Sequence, residues 1–263
     1  MKVDIVMGWQ RLLRGSAAAV LAVLAIAGAA HATPVPGQGS WESTLLGRDI
    51  NGHAVAASDA SAVFLYDTVL DVTWMRDAHA LPQDQWADSM AAAAALNVGG
   101  FTGWRLPQLL DTGAAGPNFS FSGTDAGYNV QTLSGGVVYS EMAYLWYVEL
   151  GNLAYYDTSG NVGQPGWGLS NTGDFQNLLS GQYWLGLQYV TNFNSYGWAF
   201  DVTLGLQQFD PHPGDALRAM VLRDGDVLQV PEPSTVLLVL LALAAAAAAR
   251  RRPLRTQRCS SGR

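Results

Sequence analysis

The 263-residue chain has a formal net charge of −7, but this value averages two basic ends with an acidic middle. Residues 33–230 contain five arginines, no lysine and nineteen acidic residues, a net charge of −14. A surface this acidic repels nucleic acid and anionic lipid headgroups, so we expect no nucleic-acid partner. The single cysteine, Cys259, lies beyond this segment, which excludes disulfides, thiol nucleophiles and thiolate zinc sites from it.

The first 32 residues have the pattern of a secretory signal peptide. Basic residues precede an uncharged, mostly apolar run over residues 16–30. Ala30 and Ala32 flank His31 in the small-x-small pattern of a signal peptidase site, so we expect cleavage after Ala32. The alternative is a retained membrane anchor, for which the run is short and alanine-rich. The residue directly after the cleavage site is Thr33 and not a cysteine, which excludes a lipoprotein.

Residues 33–61 are rich in glycine, serine and alanine, and we expect a loose lead-in with at most one edge strand. The folded domain is predicted over residues 62–227. It begins with a short apolar run of strand type at residues 62–66, followed by a turn at residues 67–71 and an extended segment at residues 72–74.

Two helices are predicted after these strands. Leu81-Pro82 is a helix-start signal, and the apolar residues that follow at helical spacing end at Gly99-Gly100. These apolar residues are Trp86, Met90, Ala93 and Ala94. Residues 111–138 are predicted to form a long loop. Ser140 is a candidate N-cap for a second helix over residues 141–150, which Gly151-Asn152 ends.

An irregular stretch at residues 157–180 precedes three strand-like runs, at residues 183–189, 196–203 and 216–223. Strands mixed with two helices and long loops predict an α+β fold, a single domain with a mostly antiparallel sheet.

The C-terminal tail, residues 228–263, combines three features in a fixed order. Pro231-Glu232-Pro233 precedes an apolar run at residues 235–249, and Arg250, Arg251 and Arg252 follow it. As a helix the run spans about 22 Å, short of a hydrocarbon core of about 30 Å but insertable with bilayer thinning. The arginines favour the cytoplasmic side.

This tail resembles the PEP-CTERM sorting signal. The resemblance implies recognition and cleavage by an exosortase, a membrane enzyme of transpeptidase type, in a protein that is exported and transiently anchored through its C-terminal helix. Unlike the usual signal, the chain continues for eleven residues after Arg252. The alternative is an ordinary C-terminal membrane anchor.

Several segments of residues 62–227 together resemble the Lcl C-terminal-like domain family. They are YDTVLDVTWMRD (66–77), GWRLP (103–107), SEMAY (140–144), YW (183–184), WAF (198–200) and RAMVLR (218–223). The resemblance implies a C-type-lectin-like fold and a role in adhesion or glycan binding. The Glu-Pro-Asn and Trp-Asn-Asp motifs of calcium-dependent sugar sites are not present in the sequence.

A candidate glycan site follows from strand alternation. In residues 183–189, Leu185, Leu187 and Tyr189 share the apolar face, which leaves Trp184 on the other face with Gln188. We therefore predict Trp184 as a stacking platform for a neutral or cationic glycan, with Gln188 and Asp201 as polar contacts. The alternative is that Trp184 is buried, as in the lectin strand that this run resembles.

Two other motifs have competing interpretations. Arg105, within the GWRLP segment, either binds an external anion or pairs with a nearby carboxylate such as Asp67 or Asp71. Residues 157–161, with the sequence DTSGN, either begin a calcium loop or form a simple turn; they lack a downstream bidentate glutamate.

No catalytic motif is recognised. His53, His79 and His212 are scattered, and nucleophile-elbow, zinc-protease and phosphate-loop patterns are missing from the sequence. We expect a non-enzymatic surface or matrix binding module with no cofactor, possible partners being signal peptidase, exosortase and an extracellular glycan. The alternatives are a secreted polysaccharide hydrolase that uses a carboxylate pair, and a purely structural matrix component.

Overall fold

The computed structural model describes residues 39–112, 125–189, 197–209 and 214–228, which all belong to one compact unit. The predicted signal peptide, with Ala30 and Ala32, lies outside the described residues. The predicted hydrophobic helix over residues 235–249, the motifs that flank it and His212 also lie outside them.

Helices are few and short in the described part of the chain. Helix α1 covers Trp41–Thr44, α2 covers Trp86–Ala95, and α3 covers Glu141–Ala143 and continues directly as a π-helix over Tyr144–Glu149. The strands are β1 (Leu45–Asp49), β2 (Ala62–Asp67), β3 (Val72–Met75), β4 (Gly127–Tyr128), β5 (Leu133–Ser134), β6 (Val137–Val138), β7 (Gln182–Gln188), β8 (Gly197–Asp201), β9 (Leu206–Phe209) and β10 (Leu222–Asp224).

The strands form two four-stranded sheets and one small hairpin. The first sheet has the order β1-β2-β3-β10, the second has the order β4-β9-β8-β7, and β5 pairs with β6. Every one of these strand pairs is antiparallel. The mixed helix and antiparallel-sheet architecture confirms the α+β prediction at this level.

Residues 217–224 connect the two sheets through backbone hydrogen bonds. Arg218 lies beside β7, where its carbonyl accepts from the Trp184 amide at 2.8 Å and its amide donates to the Gln182 carbonyl at 3.1 Å. A few residues later the chain becomes β10 and pairs with β3 in the other sheet. The predicted strand at residues 216–223 is therefore not a single strand, because this segment crosses from one sheet to the other.

Both sheets are covered on both faces. Alternate residues of β2, β3, β7 and β8 contribute to two separate hydrophobic cores. The first core includes Leu65, Trp74, Tyr183, Leu185, Trp198, Phe200 and Leu222. The second core includes Phe64, Met75, Trp104, Leu106, Trp184, Ala199 and Val221. Successive side chains of these strands therefore point into one core and then into the other, and neither face of the strands is left open to solvent.

Helix α2 covers part of the second sheet. The Trp86 indole donates its Nε1 hydrogen to the Leu185 carbonyl of β7 at 2.8 Å. A Cβ on Gly197, at the start of β8, would lie 2.1 Å from the Trp86 ring, so only glycine allows this close approach. The helix ends at Ala95, before the predicted stop at Gly99-Gly100.

Two predictions that depend on neighbouring residues, the Ser140 cap and the turn at residues 67–71, are confirmed by the structure. The Ser140 side chain accepts a hydrogen bond from the Ala143 amide at 3.2 Å, which confirms it as the N-cap of α3. The turn at residues 67–71 is confirmed between β2 and β3, with Asp71 in the left-handed region at φ 53°. Strand β1 lies in the segment predicted as a lead-in, and it is the edge strand of the first sheet.

Replacing Trp184 by alanine should lower the free energy of unfolding by about 3–5 kcal/mol, because it removes a large buried ring from the second core. Urea denaturation followed by tyrosine and tryptophan fluorescence measures this change. Trp167→Ala is the matched control, since Trp167 is 40% exposed and Trp184 only 2% exposed. Equal losses for the two variants would contradict the burial of Trp184.

Candidate functional site

Trp184, Gln188 and Asp201, the predicted glycan-binding residues, do not form an exposed platform. Trp184 is 2% exposed, and its indole Nε1 donates to the Asp84 carbonyl at 2.8 Å. The prediction of Trp184 as a stacking platform is therefore wrong. Strand alternation placed the ring correctly on the face opposite Leu185, but that face is covered by the second core and is not open to water.

The other two residues have different environments. Asp201 is 9% exposed, and its Oδ1 accepts from the backbone amides of Thr203 and Leu204 at 2.8 and 3.2 Å. The carboxylate thus shapes the turn between β8 and β9. Gln188 is half-buried at the end of β7, opposite Gly197.

Arg105 is fully engaged by carboxylates of the protein. Its Nη1 and Nη2 donate to Glu141 at 2.7 and 2.8 Å, and its Nε and Nη2 donate to Asp224 at 3.1 and 2.5 Å. Pairing with a carboxylate was one of the two predicted roles. The predicted partners, Asp67 and Asp71, were wrong, because Arg105 faces α3 and the end of β10.

Residues 157–161 form a tight turn closed by their own side chains. Asp157 accepts from the backbone amides of Ser159 and Asn161 at 2.8 and 2.9 Å, and the Asn161 side-chain amide also donates to it at 2.8 Å. These bonds hold the pKa of the Asp157 carboxyl below its usual range. Across the described ranges, no group of three or more His, Cys, Asp or Glu side chains is placed to hold a metal ion.

Four aromatic rings form a continuous chain near this turn, and we call them the aromatic surface: Tyr128, Tyr156, Tyr155 and Trp167. Successive ring centroids lie 4.7, 5.2 and 4.8 Å apart. Trp167 is 40% exposed, and the neighbouring Leu153 and Val162 are 44% and 58% exposed. Burial, together with the nearby charges of Tyr156 and Asp201, raises the pKa of Tyr128.

Two carboxyl groups, Asp67 and Glu149, are completely buried at 0% exposure. Asp67 Oδ1 accepts from the amides of Val69 and Leu70, both at 2.9 Å. Thr44 and Asp67 are the polar side chains next to the Glu149 carboxyl. Burial, together with the negative charge of Asp67, raises the pKa of Glu149 to about 9. Glu149 therefore keeps its proton at neutral pH.

The last described segment, residues 224–228, is held against the first sheet, and we call it the C-terminal junction. Its centre is Asp226, whose Oδ1 and Oδ2 accept from Arg48 Nε and Nη2 at 2.9 and 2.6 Å. Arg48 is only 5% exposed, and its Nη1 also donates to the Gly47 carbonyl at 2.9 Å. Asp226 further accepts from the Leu228 amide at 2.9 Å.

The neighbours of Asp226 are held as well. The Gly225 amide donates to the Asp71 carbonyl at 2.8 Å, and the Gly225 carbonyl accepts from the Thr73 hydroxyl at 2.6 Å. Val227 is 2% exposed and belongs to the second core. The domain is thus held by specific contacts up to Leu228.

The segment that follows the C-terminal junction matches a known family. Residues 229–252 match the PEP-CTERM protein-sorting motif. The match includes Pro231-Glu232-Pro233 and Arg250-Arg251-Arg252, which confirms the predicted sorting signal. The motif supports an exported, cell-surface-directed protein that an exosortase recognises. No curated protein and no solved structure was found to match the chain.

The other resemblances stay predictions. None of the comparisons supports the Lcl C-terminal-like domain over residues 62–227 or the C-type-lectin-like fold. Among the residues that the structure describes, no helix has the length and apolar character needed to cross a membrane.

Sequence reasoning missed the buried acid pair, the aromatic surface and the Arg48–Asp226 ion pair. Asp67 and Glu149 are far apart in sequence, as are Arg48 and Asp226, so no local pattern could join them. A partial signal existed for the aromatic surface. Tyr155-Tyr156 and the Pro165-Gly166-Trp167 turn place aromatic residues in a segment that is otherwise polar and rich in glycine.

Replacing Glu149 by glutamine should remove a pH dependence of stability. The wild-type carboxyl ionises near pH 4.3 when unfolded and near pH 9 when folded, so wild-type stability falls as pH rises between these values. Glutamine does not ionise, so its advantage over wild type should grow by up to about 1.4 kcal/mol per pH unit across this window. Asp67 and Tyr144 are the titratable neighbours that remain in both proteins.

Thermal melts at pH 5, 7 and 8.5 measure this effect. Asp88→Asn is the control, because Asp88 is an exposed carboxylate on α2. If the stability of Glu149→Gln depends on pH in the same way as that of wild type, Glu149 is not the group that causes the loss of stability at higher pH.

Proposed function

We propose that this protein is a surface or extracellular-matrix binding module, held in the membrane by its C-terminal helix until an exosortase processes the tail. The match of residues 229–252 to the PEP-CTERM motif is the observation that carries the sorting part of the proposal. A domain without cysteine between residues 33 and 230 needs no disulfide formation after export, which is consistent with this route.

The ligand that fits best is a neutral or cationic glycan bound at the aromatic surface. Exposed aromatic rings provide flat apolar area for the C–H face of a sugar, and Trp167 is the most exposed ring of the four. Tyr155 meets the Trp167 ring edge-on at 82°, which supports its orientation. The charge of −14 over residues 33–230 opposes binding of polyanionic chains.

The hydrolase alternative needs a pair of carboxyl groups that a polysaccharide can reach. Asp67 and Glu149 are both 0% exposed, so a polysaccharide does not reach them in this structure. Asp111 and Asp125 also interact; Asp111 is exposed, and burial raises the pKa of Asp125. We propose binding without cleavage, and the release of reducing sugars tests the alternative.

Replacing Pro231-Glu232-Pro233 by three alanines should leave the precursor unprocessed in the membrane, because the apolar run and the arginines remain as an anchor. Immunoblots of membrane and medium fractions from an exosortase-containing host measure the precursor and the processed form. Alanine replacement of Thr158 and Ser159, two exposed residues of the turn at residues 157–161, is the control. Unchanged processing of the tail variant would mean that the tail is an ordinary anchor.

Trp167→Ala should abolish retention on the glycan while leaving the domain folded, because the ring is exposed. Affinity electrophoresis in gels that contain a neutral or a cationic polysaccharide measures retention, and circular dichroism checks folding. Val69→Ala, at a 42% exposed position in the β2–β3 turn, should be retained like wild type. Release of reducing sugars by the wild type would instead favour the hydrolase, and neither retention nor release would favour a structural component.

A further inference from the structure

The folded domain ends almost at the sorting motif. Leu228 is the last residue with contacts in the described structure, and only Gln229 and Val230 separate it from Pro231. A fully extended chain covers about 3.3–3.6 Å per residue, so Pro231 lies within about 10–11 Å of Leu228. The apolar run begins at Thr235, within about 25 Å of the same point.

This short connection restricts an enzyme that works on the motif. Binding of a peptide in a cleft requires residues on both sides of the recognised segment to be accessible. On the N-terminal side, only two residues are not part of the C-terminal junction. The folded domain therefore lies directly beside the peptide-binding cleft of the enzyme. Val227 is buried in this domain and Asp226 is ion-paired to it.

The Arg48–Asp226 pair is one of the contacts that hold the C-terminal junction against the domain. Its atoms are 2.6 Å apart at the shortest, and the Arg48 side chain is only 6% exposed while that of Asp226 is 22% exposed. The Leu228 amide bonds to Asp226 itself, so this pair also restrains the last described residue. If the ion pair and the burial of Val227 are both lost, three more residues lie between the folded domain and Pro231.

We propose that Arg48 and Asp226 are positioning residues for tail processing: by holding the C-terminal junction closed, they limit the access of the sorting enzyme to Pro231-Glu232-Pro233. This inference rests on the proposed exosortase processing. Processing of the folded protein then requires local opening of the junction, and the rate of processing depends on the length of free chain before the motif.

The test is a pulse-chase measurement of precursor processing in an exosortase-containing host. Insertion of six residues, Gly-Ser-Gly-Ser-Gly-Ser, between Leu228 and Gln229 should speed processing several-fold without touching the junction. Asp226→Asn, which removes the charge from the pair, should also speed processing several-fold. Combined with the insertion, Asp226→Asn should add nothing, because free chain is no longer limiting.

Two controls separate access from general destabilisation. The same insertion between Gly135 and Gly136, in the β5–β6 turn, should leave the rate unchanged. Tyr147→Phe, which removes the hydrogen bonds of the Tyr147 hydroxyl with Asn129 and Gly205 and costs about 1–2 kcal/mol, should also leave it unchanged. Faster processing of Tyr147→Phe, or an undiminished effect of Asp226→Asn in the insertion background, would assign the effect to unfolding and overturn the proposal.

The failure of this inference is distinguishable from failure of the proposed function. If the insertion after Leu228 leaves the rate unchanged or lowers it while alanine replacement of Pro231-Glu232-Pro233 still blocks processing, the sorting function stands and the positioning role is wrong. If that triple replacement has no effect either, the sorting function itself is wrong.

Discussion

The two sheets depend on one stretch of backbone, residues 217–224, which bonds to β7 at Arg218 and then pairs with β3 as β10. Side chains of the same stretch alternate between the two cores, with Met220 and Leu222 in the first and Ala219 and Val221 in the second. No disulfide exists to replace this connection, since residues 33–230 contain no cysteine. The stretch is also the last part of the domain to be synthesised, so the sheets can be joined only when the chain is complete up to the start of the sorting motif.

The sequence predicted elements whose signals are local. The cap at Ser140 and the turn after Asp67 depend on bonds to residues at most three positions away, and both were found as expected. The prediction that Trp184 is exposed was wrong for a different reason. Alternation assigns a residue to a face correctly, but whether that face meets water depends on Trp104, α2 and residues 217–221, which come from distant parts of the chain.

Charged residues were the hardest to place from sequence. With nineteen acids and five arginines in residues 33–230, many pairings are equally plausible from the sequence. Arg105 pairs with Glu141 and Asp224, and not with the expected Asp67 or Asp71. The buried Glu149 was unpredictable for the same reason. It lies at the end of the π-helix, in which Tyr144, Leu145 and Trp146 are also buried. The protein accommodates this acid by keeping it neutral, which makes the interior sensitive to alkaline conditions.

The sheet edges have a consequence for contacts between neighbouring molecules. Beyond β7, the amides of Trp184 and Gly186 already donate to the carbonyls of Arg218 and Pro107, and beyond β10 the backbone of Leu222 exchanges two hydrogen bonds with Arg105. Irregular segments thus occupy the backbone groups that a foreign strand would need. A neighbouring molecule therefore finds little template for intermolecular β-pairing at these two edges.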